Sequence, residues 1–322
     1  MIYIEKALSE KDPFLIKGVT QKHELIENIN SINESCLNGD IILKRRKNSF
    51  IIPYQYGHGI TGKNEYVLRW GTGCKFSCLY CYVQQKINFT KILTVFADTK
   101  AIKEELQELF KIKKKILLNA GENFDSFICE KETGFTSRLT NMFSDFPELT
   151  VEYRTKSLIP ENYINNVNSQ NTFIAISLNP YYINKRFEKG TSDHNDRIQN
   201  IKALLDKGHR LALRIEPVIL IDDYLNHYKK FFRQLSAEFD INRLESIDIS
   251  LLRLTKKGFN FVKKNREIMS GEWILSTSDN KYRYFIRQRI IALKELKDAL
   301  SKVYKGSIYI GGEPKNLLKY MI

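Results

Sequence analysis

Residues 70–82 read Trp-Gly-Thr-Gly-Cys-Lys-Phe-Ser-Cys-Leu-Tyr-Cys-Tyr, and they hold three of the five cysteines in a chain of 322 residues. Cys74, Cys78 and Cys81 follow a Cys-x3-Cys-x2-Cys spacing, which allows three thiolates on one short loop to face one metal centre. A structural zinc site normally has four protein ligands, and no cysteine or histidine follows at the spacing of a zinc finger. We therefore favour an iron-sulfur cluster of the four-iron kind, with one iron left free for a small molecule, and keep zinc as the alternative.

This loop, with an aromatic residue directly before its last cysteine, resembles the cluster-binding loop of the radical S-adenosylmethionine (SAM) enzymes. The resemblance implies a 4Fe-4S cluster whose open iron binds the amino and carboxylate groups of SAM. It also implies that one electron splits SAM into methionine and a 5′-deoxyadenosyl radical, which abstracts a hydrogen atom. An electron donor such as a flavodoxin or a ferredoxin is then expected as a partner.

The composition is strongly basic, with 51 Lys and Arg against 37 Asp and Glu and a formal net charge of +14. Such an excess suggests a polyanionic partner such as nucleic acid, although the lysine-rich proteins of an AT-biased genome show the same excess without one. No apolar run of about eighteen residues and no signal-peptide pattern occurs, so neither a spanning helix nor secretion is indicated. We expect a cytoplasmic protein, since reduced thiols suit an oxygen-sensitive cluster.

Apolar segments alternate with amphipathic segments from residue 66 onward, and this alternation predicts six strands separated by helices. Because each strand is apolar on both faces, we expect an all-parallel sheet covered by helices. Right-handed crossovers would wind such an α/β sheet into an open or closed barrel. The resemblance to radical SAM enzymes implies that it is a partial (β/α)6 barrel of the TIM type. The predicted strands cover residues 66–70, 116–119, 149–154, 172–177, 210–219 and 244–252, with a further strand at 307–310. The predicted helices cover residues 99–112, 134–143, a short stretch after Pro160, 193–207, 223–236 and a segment through about 303.

The chain is expected to consist of three parts. Residues 1–65 form an N-terminal extension, and residues 66–252 form the barrel. Residues 253–322, which are rich in basic and aromatic side chains, are expected to pack on the barrel and contact the substrate. We find no internal repeat and no low-complexity linker.

Unusual residues stand at the carboxyl ends of the predicted strands, where reactive groups lie in parallel α/β sheets. Gly121 and Glu122 follow the second strand, Lys156 follows the third, and Ser177 and Asn179 close the fourth. This placement supports the cluster interpretation independently of the cysteine spacing. The ordinary alternative is a strand-end lysine and a serine that caps a helix.

The chain most resembles the spore photoproduct lyase family and its DNA-repair-photolyase-like relatives, from about residue 66 to 311. Besides Cys78–Tyr82, the matching stretches are Tyr153–Lys156, Ser177–Asn179, Phe187–Ser192 and Arg253–Lys256. The resemblance implies carbon-carbon bond cleavage in a UV-type thymine lesion of DNA. The alternatives are a radical SAM enzyme acting on another nucleic acid, a peptide or a small molecule, and a non-catalytic iron-sulfur or zinc protein that binds nucleic acid.

Carried over residue by residue, the resemblance places the cluster on the three cysteines of the loop. It places Lys156 and Ser177 near the methionyl carboxylate of SAM, with Asn179 as a further candidate on the same strand end. It also places Gly121 and Glu122 near the amino group of SAM, because glycine permits close backbone approach and the carboxylate pairs with the ammonium.

In that family a cysteine after the second strand returns a hydrogen atom to the substrate and tyrosines near the cluster relay it. Tyr80 and Tyr82 are the candidate relay residues. The family's Ala-Cys-Thr-Ser-Asp segment is absent here, where residues 120–125 read Ala-Gly-Glu-Asn-Phe-Asp. Cys129, displaced along the loop, is a candidate donor, but an inert core cysteine is the interpretation that we favour.

Two stretches after residue 253 interleave cations with aromatic residues. A base in duplex DNA must leave the stack to reach a cluster inside a barrel. Cations would then contact phosphates while aromatic rings stack or wedge, although a solvated helix face with core aromatics has the same pattern. The candidate contacts are Arg253, Lys256, Lys257, Lys263, Lys264, Tyr282, Arg283 and Arg287.

Overall fold

The computed structural model describes residues 1–9, 19, 21–27, 39–54, 64–85, 90–167 and 169–320. The strands are β1 Ile2–Glu5, β2 His23–Ile26, β3 Ile41–Lys44, β4 Ile51–Pro53, β5 Glu65–Leu68, β6 Gly71–Thr72, β7 Ser77–Cys78, β8 Leu93–Phe96, β9 Ile116–Asn119, β10 Leu149–Thr155, β11 Thr172–Ser177, β12 Glu188–Lys189, β13 Leu211–Val218, β14 Ser246–Leu251, β15 Arg253–Leu254, β16 Trp273–Leu275, β17 Tyr282–Tyr284 and β18 Ser307–Ile310. The helices are α1 Lys6–Ser9, α2 Thr99–Phe110, α3 Glu130–Thr133, α4 Phe135–Phe143, α5 Glu161–Asn166, α6 Tyr181–Phe187, α7 His194–Asp206, α8 Tyr224–Glu238, α9 Lys256–Val262, α10 Ile286–Ser301 and α11 Lys315–Leu318.

The main sheet has eight strands in the order β18-β14-β13-β11-β10-β9-β5-β4. All neighbouring pairs from β5 to β18 are parallel, so the six predicted barrel strands are confirmed and β18 adds a seventh. In the described part of the chain the sheet does not close on itself, as a partial barrel requires. The prediction of an all-parallel sheet is wrong at one edge, where β4 runs antiparallel to β5. The connection between these two strands is too short for a parallel crossover, which needs a dozen or more residues.

Helices that alternate with the strands cover this sheet because each presents one apolar stripe to it. Asp98 caps the start of helix α2, because its carboxylate accepts a hydrogen bond from the backbone N–H of Ala101 at 3.1 Å, and the helix buries Ile102 and Leu106. Helices α8 and α10 pack on each other, and α10 buries Leu296 on its inner face. Among the described residues, no helix combines the length and the apolar character needed to span a membrane.

A second sheet connects the N-terminal region to both sides of the cysteine loop. Its strand order is β2-β1-β3-β8-β6, and β3 pairs in parallel with β8, the next strand in sequence after the loop. Strand β6, directly before the loop, pairs antiparallel with β8. Between the two sheets lies the fully buried Trp70, whose indole N–H donates to the carbonyl of Ala120. The chain therefore holds both ends of the cysteine loop in regular structure.

Candidate active site

The cysteine loop begins at a glycine that no other residue can replace without strain. Gly73 has a φ of 89°, and a Cβ at this position would collide with the carbonyl oxygen of Ile92. The loop contains β7, which pairs antiparallel with β12. This pairing places Cys78 opposite Glu188. Beyond it, the backbone N–H of Cys81 donates to the carbonyl of Cys78 at 3.1 Å, which turns the chain back toward the sheet.

The three cysteines suit an iron-sulfur cluster better than a single metal ion. Cys74, Cys78 and Cys81 are free thiols on this one loop, and Cys78 is buried. In the described ranges, no three His, Cys, Asp or Glu side chains are close enough together to share one ion. Cys74, Cys78 and Cys81 would hold a cluster through their thiolates, which are the protein ligands that iron-sulfur clusters bind. Burial raises the pKa of Cys74 to about 12, and a bound metal deprotonates a coordinating thiol.

Glu188 is the centre of the site, and the sequence analysis assigned it no role. Its carboxylate is fully buried and accepts hydrogen bonds from the hydroxyl of Tyr80, Nζ of Lys156 at 3.1 Å, Nη2 of Arg197 at 3.0 Å, Nδ2 of Asn184 at 3.1 Å and Nδ2 of Asn179 at 3.4 Å. Burial alone would raise the pKa of Glu188, but the neighbouring Lys156 and Arg197 lower it far below its usual range. Glu188 is therefore an anion that fixes the predicted residues Tyr80, Lys156 and Asn179 around the cysteine loop.

The ammonium group of Lys156 has one N–H that can donate to a ligand. Its ammonium donates to Glu188 and to the carbonyl of Glu216 at 3.3 Å, and an ammonium has three hydrogens. Asp125 fixes the strand end that carries it, because its carboxylate accepts from the backbone N–H of Lys156 at 2.6 Å and from the hydroxyl of Thr155 at 2.8 Å. The arrangement suits a carboxylate ligand beside Lys156.

Gly121 and Glu122 lie against the neighbouring strand and against the cysteine loop. A Cβ on Gly121 would lie 2.5 Å from the Cβ of Arg154, so the backbone approach requires glycine. Glu122 forms an ion pair with Arg154 at 3.3 Å, and its backbone carbonyl accepts from the hydroxyl of Tyr82 at 2.9 Å. Tyr82 also donates to Asn123 Oδ1 at 3.0 Å. The predicted residues Tyr82, Gly121 and Glu122 therefore come together, with Glu122 already paired to a cation.

Ser177 and Asn179 differ in how accessible they are to a ligand. Ser177 is half-buried at the end of β11, and its carbonyl accepts from Arg197 Nη1 at 2.7 Å. Asn179 is fully buried, and its amide oxygen accepts from the hydroxyl of Tyr228 at 3.1 Å. Asn179 is thus inaccessible to a ligand, and it positions Glu188 instead.

Cys129 lies apart from these groups, inside the core. Its side chain is 2% exposed, next to the buried Phe127 and Ile128. The hydroxyl of Thr133 donates to the carbonyl of Cys129 at 2.8 Å, and burial raises the pKa of the thiol well above its usual value. These contacts support the inert interpretation and count against Cys129 as a hydrogen donor.

The candidate DNA contacts divide into exposed and buried residues. Arg283 is fully buried, and its guanidinium donates to the carbonyl of Gly312 at 2.7 Å and to Asp279 at 2.6 Å. Its assignment as a phosphate contact is therefore wrong.

Tyr282 stacks on Phe259 with ring centroids 3.9 Å apart, so its ring packs within this region. Arg253 is half-buried, with Nη2 3.6 Å from Glu216. The exposed candidates are Lys256, Lys257, Lys263, Lys264 and Arg287.

A buried network of charges crosses the inner strands below this site. Glu152 lies between Arg154, at 2.8 Å, and Arg214, and Arg214 also pairs with Asp248 at 3.3 Å. Although burial opposes ionisation, the two guanidiniums lower the pKa of Glu152 to about 2. A buried carboxylate with two cationic partners is stable only while all three are present.

Comparison with known proteins identifies the family. The family model described as spore photoproduct lyase matches residues 59–310, which is most of the chain. The chain belongs to the spore photoproduct lyase family. The spore photoproduct lyase of Geobacillus sp. (strain Y412MC61) is 22% identical over 251 residues, which cover 73% of this chain and 70% of that protein. The enzyme of Bacillus subtilis (strain 168) is 22% identical over 205 residues, which cover 62% of this chain and 60% of that protein.

Solved structures of spore photoproduct lyases have the same fold. A double mutant with bound AdoMet and dinucleoside spore photoproduct matches with a TM-score of 0.79 and 15% identity, covering 96% of this chain and 97% of that chain. A complex with dinucleoside spore photoproduct matches with a TM-score of 0.75 over the same shares. The partial barrel and the family resemblance predicted from the sequence are therefore confirmed. As a member of this family, the chain is a radical SAM enzyme of the lyase type that uses a 4Fe-4S cluster and SAM.

Proposed function

We propose that this enzyme repairs spore photoproduct, a UV-type thymine lesion in DNA, by breaking the carbon-carbon bond that joins the two bases. The observation that carries the proposal is the loop of three cysteines beside Glu188 and Lys156 at the carboxyl ends of the strands, in a chain whose family repairs this lesion. A related structure holds AdoMet and the dinucleoside lesion in the same fold. When bound, the reduced cluster and SAM supply a radical that abstracts hydrogen from the lesion.

The side chains of the site have distinct tasks in this proposal. Cys74, Cys78 and Cys81 hold the cluster. Lys156, held by Glu188, orients the methionyl carboxylate of SAM through its remaining donor, and the hydroxyl of Ser177 assists. The amino group of SAM binds beside the carboxylate of Glu122, whose place is set by the close packing of Gly121 against Arg154.

We further propose that Tyr82 supplies the hydrogen atom that the substrate radical needs after bond cleavage. Its hydroxyl lies between the cysteine loop and the loop after β9, where it contacts Glu122 and Asn123. The O–H bond of Tyr82 breaks as a C–H bond forms on the substrate carbon. The resulting tyrosyl radical then takes one electron from a one-electron donor protein and one proton from solvent, which restores the phenol. Tyr80 is less suitable as the direct donor, since its hydroxyl is buried against Glu188.

The region after residue 253 is proposed to bind the DNA on either side of the lesion. Lys256 and Lys257 begin helix α9, and Lys263 and Lys264 follow its end, all with exposed side chains. The aromatic ring of Phe261 on the same helix is 68% exposed. Exposed cations interleaved with an exposed ring are typical of a surface that tracks phosphates and contacts bases. We also propose a one-electron donor protein as partner and the reducing cytoplasm as location, because both suit the cluster.

The test is conversion of the lesion by the reconstituted enzyme. The protein is loaded anaerobically with iron and sulfide, reduced with dithionite and given SAM and a dinucleotide spore photoproduct. We expect intact thymidine dinucleotide, detected by mass spectrometry, only when SAM is present. Cleavage of SAM without conversion of the lesion would contradict the proposed substrate and direct attention to another nucleic acid, a peptide or a small molecule.

A further inference from the structure

The outer side of the cysteine loop carries three lysines, which we call the outer lysine patch. Lys75, Lys91 and Lys189 are all exposed. Lys189 lies opposite Ser77 in the ladder between β7 and β12, and Nζ of Lys91 donates to the hydroxyl of Ser77 at 3.4 Å. Lys75 is two residues before Ser77. The three exposed lysines therefore lie on segments that meet at Ser77, itself exposed on the surface of the loop.

The patch lies directly behind the residues that bind the cluster. Successive side chains of a strand point to opposite faces. In the ladder of β7 and β12, Ser77 and Lys189 are exposed, whereas Cys78 and Glu188 are buried on the other face. Gly190, with a φ of 81°, follows Lys189 and lies against the backbone of Phe76. Only one layer of backbone therefore separates the outer lysine patch from Cys78.

The lysines of the patch make no ion pair within the part of the chain that the structure describes. Across the described ranges, none of Lys75, Lys91 and Lys189 forms an ion pair, while Lys103, Lys111 and Lys202 each pair with a carboxylate. Three like charges around one loop repel each other, and this repulsion is relieved when an acidic surface covers them. A patch of this kind is suited to a partner of opposite charge.

We propose that the outer lysine patch is the docking surface for an acidic one-electron donor protein, of the flavodoxin or ferredoxin type. The inference rests on the proposed function, because only a cluster that must be reduced needs such a partner. Electron-transfer complexes are small and short-lived, and opposite charges steer their association. A donor that docks on the patch is separated from Cys78 by one layer of backbone. The short distance between the donor and the cluster favours electron transfer.

DNA is the other polyanion that such a patch attracts, and the geometry favours the donor protein. The lesion must approach the buried face of the ladder, where Glu188 holds Lys156 and Tyr80. The outer lysine patch lies on the opposite, exposed face.

The test compares two charge-reversed proteins. The first is Lys91→Glu with Lys189→Glu, which leaves the residue next to Cys74 intact. The matched control is Lys114→Glu with Lys115→Glu, two exposed lysines just before β9 and therefore at the opposite end of the strands. Both proteins undergo the same change in net charge. Lys75→Glu is a second variant that reverses the charge nearest the cluster.

Three measurements are made on the reconstituted enzymes. Stopped-flow absorbance follows reduction of the cluster by a reduced, acidic bacterial flavodoxin at several salt concentrations. Calorimetry gives the affinity for the same flavodoxin, and fluorescence anisotropy gives the affinity for duplex DNA. Dithionite-driven formation of 5′-deoxyadenosine is recorded separately, since this small reductant needs no docking surface.

We expect Lys91→Glu with Lys189→Glu to slow reduction by flavodoxin about tenfold or more at low salt and to flatten its salt dependence. Lys75→Glu weakens flavodoxin binding in the same direction, and the control changes neither rate nor affinity. An unchanged flavodoxin rate, an equal loss in the control, or a loss of DNA affinity with flavodoxin affinity intact would each overturn the proposal. Failure of dithionite to drive SAM cleavage in the unaltered enzyme contradicts the proposed function instead, and flavodoxin affinity still tests the docking surface.

Discussion

Tyr82 and Cys129 have opposite environments, and their substitution separates the two candidates for the hydrogen donor. Tyr82 contacts the loop after β9 from the cysteine loop, whereas Cys129 is sealed in the core. We predict that Tyr82→Phe retains SAM cleavage but lowers the yield of repaired dinucleotide about a hundredfold, because the phenol hydrogen is lost. Product analysis by mass spectrometry measures this yield.

Cys129→Ala is the matched substitution for that experiment. We expect it to leave the identity and yield of the product unchanged, at a modest cost in thermal stability from the lost buried sulfur. A normal yield from Tyr82→Phe together with a loss in Cys129→Ala would reverse the assignment.

Glu188 determines where Lys156 points, so its charge is expected to govern SAM binding. Glu188→Gln keeps the shape of the side chain but removes the anion that holds Lys156 and Arg197. We predict that the Kd for SAM rises about tenfold, measured by calorimetry on the reconstituted enzyme, because the ammonium of Lys156 loses its fixed position.

The control for this charge removal is Glu267→Gln, which breaks the surface ion pair with Arg186 at 2.8 Å. Surface pairs contribute little, so we expect an unchanged Kd. If both substitutions weaken SAM binding equally, Glu188 has no special part in the site.

The cysteine loop depends on the turn at Gly73, and a pair of glycines tests this dependence. Gly73 and Gly208 both have left-handed backbone angles, with φ of 89° and 79°. An added Cβ meets the carbonyl of Ile92 at Gly73 but nothing within 4 Å at Gly208. We predict that Gly208→Ala costs only about 1 kcal/mol of stability, while Gly73→Ala displaces the loop and prevents cluster assembly.

Iron and sulfide content and the visible absorbance of the reconstituted proteins measure this difference. Gly208→Ala should load like the unaltered chain. Full loading of Gly73→Ala would show that the turn is not required for the site.

The strands of the main sheet were predictable from sequence because a strand that is buried on both faces has a mostly apolar sequence. Segments such as 172–177 and 211–218 are mostly apolar, with Arg214 and Glu216 as the charged exceptions, and their existence and order match the prediction. The second sheet was not predictable, because β1, β3 and β8 are short and pair across long stretches of chain. No local sequence pattern indicates which distant strands pair.

The site was predictable only where the residue types and their spacing indicate a particular chemistry. Three cysteines at close spacing do so, but a single glutamate such as Glu188 does not, although it lies within the matched stretch Phe187–Ser192. Arg283 shows the opposite error. Its position between two tyrosines was interpreted as an exposed cation next to aromatic rings, but β17 turns it inward onto Asp279 and Gly312. The binding partner of a buried cation cannot be inferred from its neighbours in sequence.

The charges buried below the site make the stability of the fold depend on pH. Glu152 has a folded-state pKa of about 2 against an ordinary value of 4.5. A lowered pKa gives stability that is present above about pH 4.5 and is lost as the pH falls toward 2. We predict that Glu152→Gln lowers the free energy of unfolding by about 3 kcal/mol at pH 7, because Arg154 and Arg214 lose a shared partner.

Urea denaturation of both proteins at pH 7 and near pH 3 measures this effect. The difference between them should shrink at the lower pH, because Glu152 is then protonated in the unfolded chain and its ionisation stabilises the folded state less. A difference that stays constant between the two pH values would contradict a role for the ionised carboxylate.

The cysteine loop, the strand ends and the buried anion together describe an enzyme that makes a radical from SAM. The most direct test measures 5′-deoxyadenosine formed by the anaerobically reconstituted, reduced protein, beside a variant with Cys74→Ala, Cys78→Ala and Cys81→Ala. We predict that the unaltered protein binds iron and sulfide and forms 5′-deoxyadenosine, while the variant does neither. Full iron and sulfide without any 5′-deoxyadenosine, or continued formation in the variant, would contradict the account.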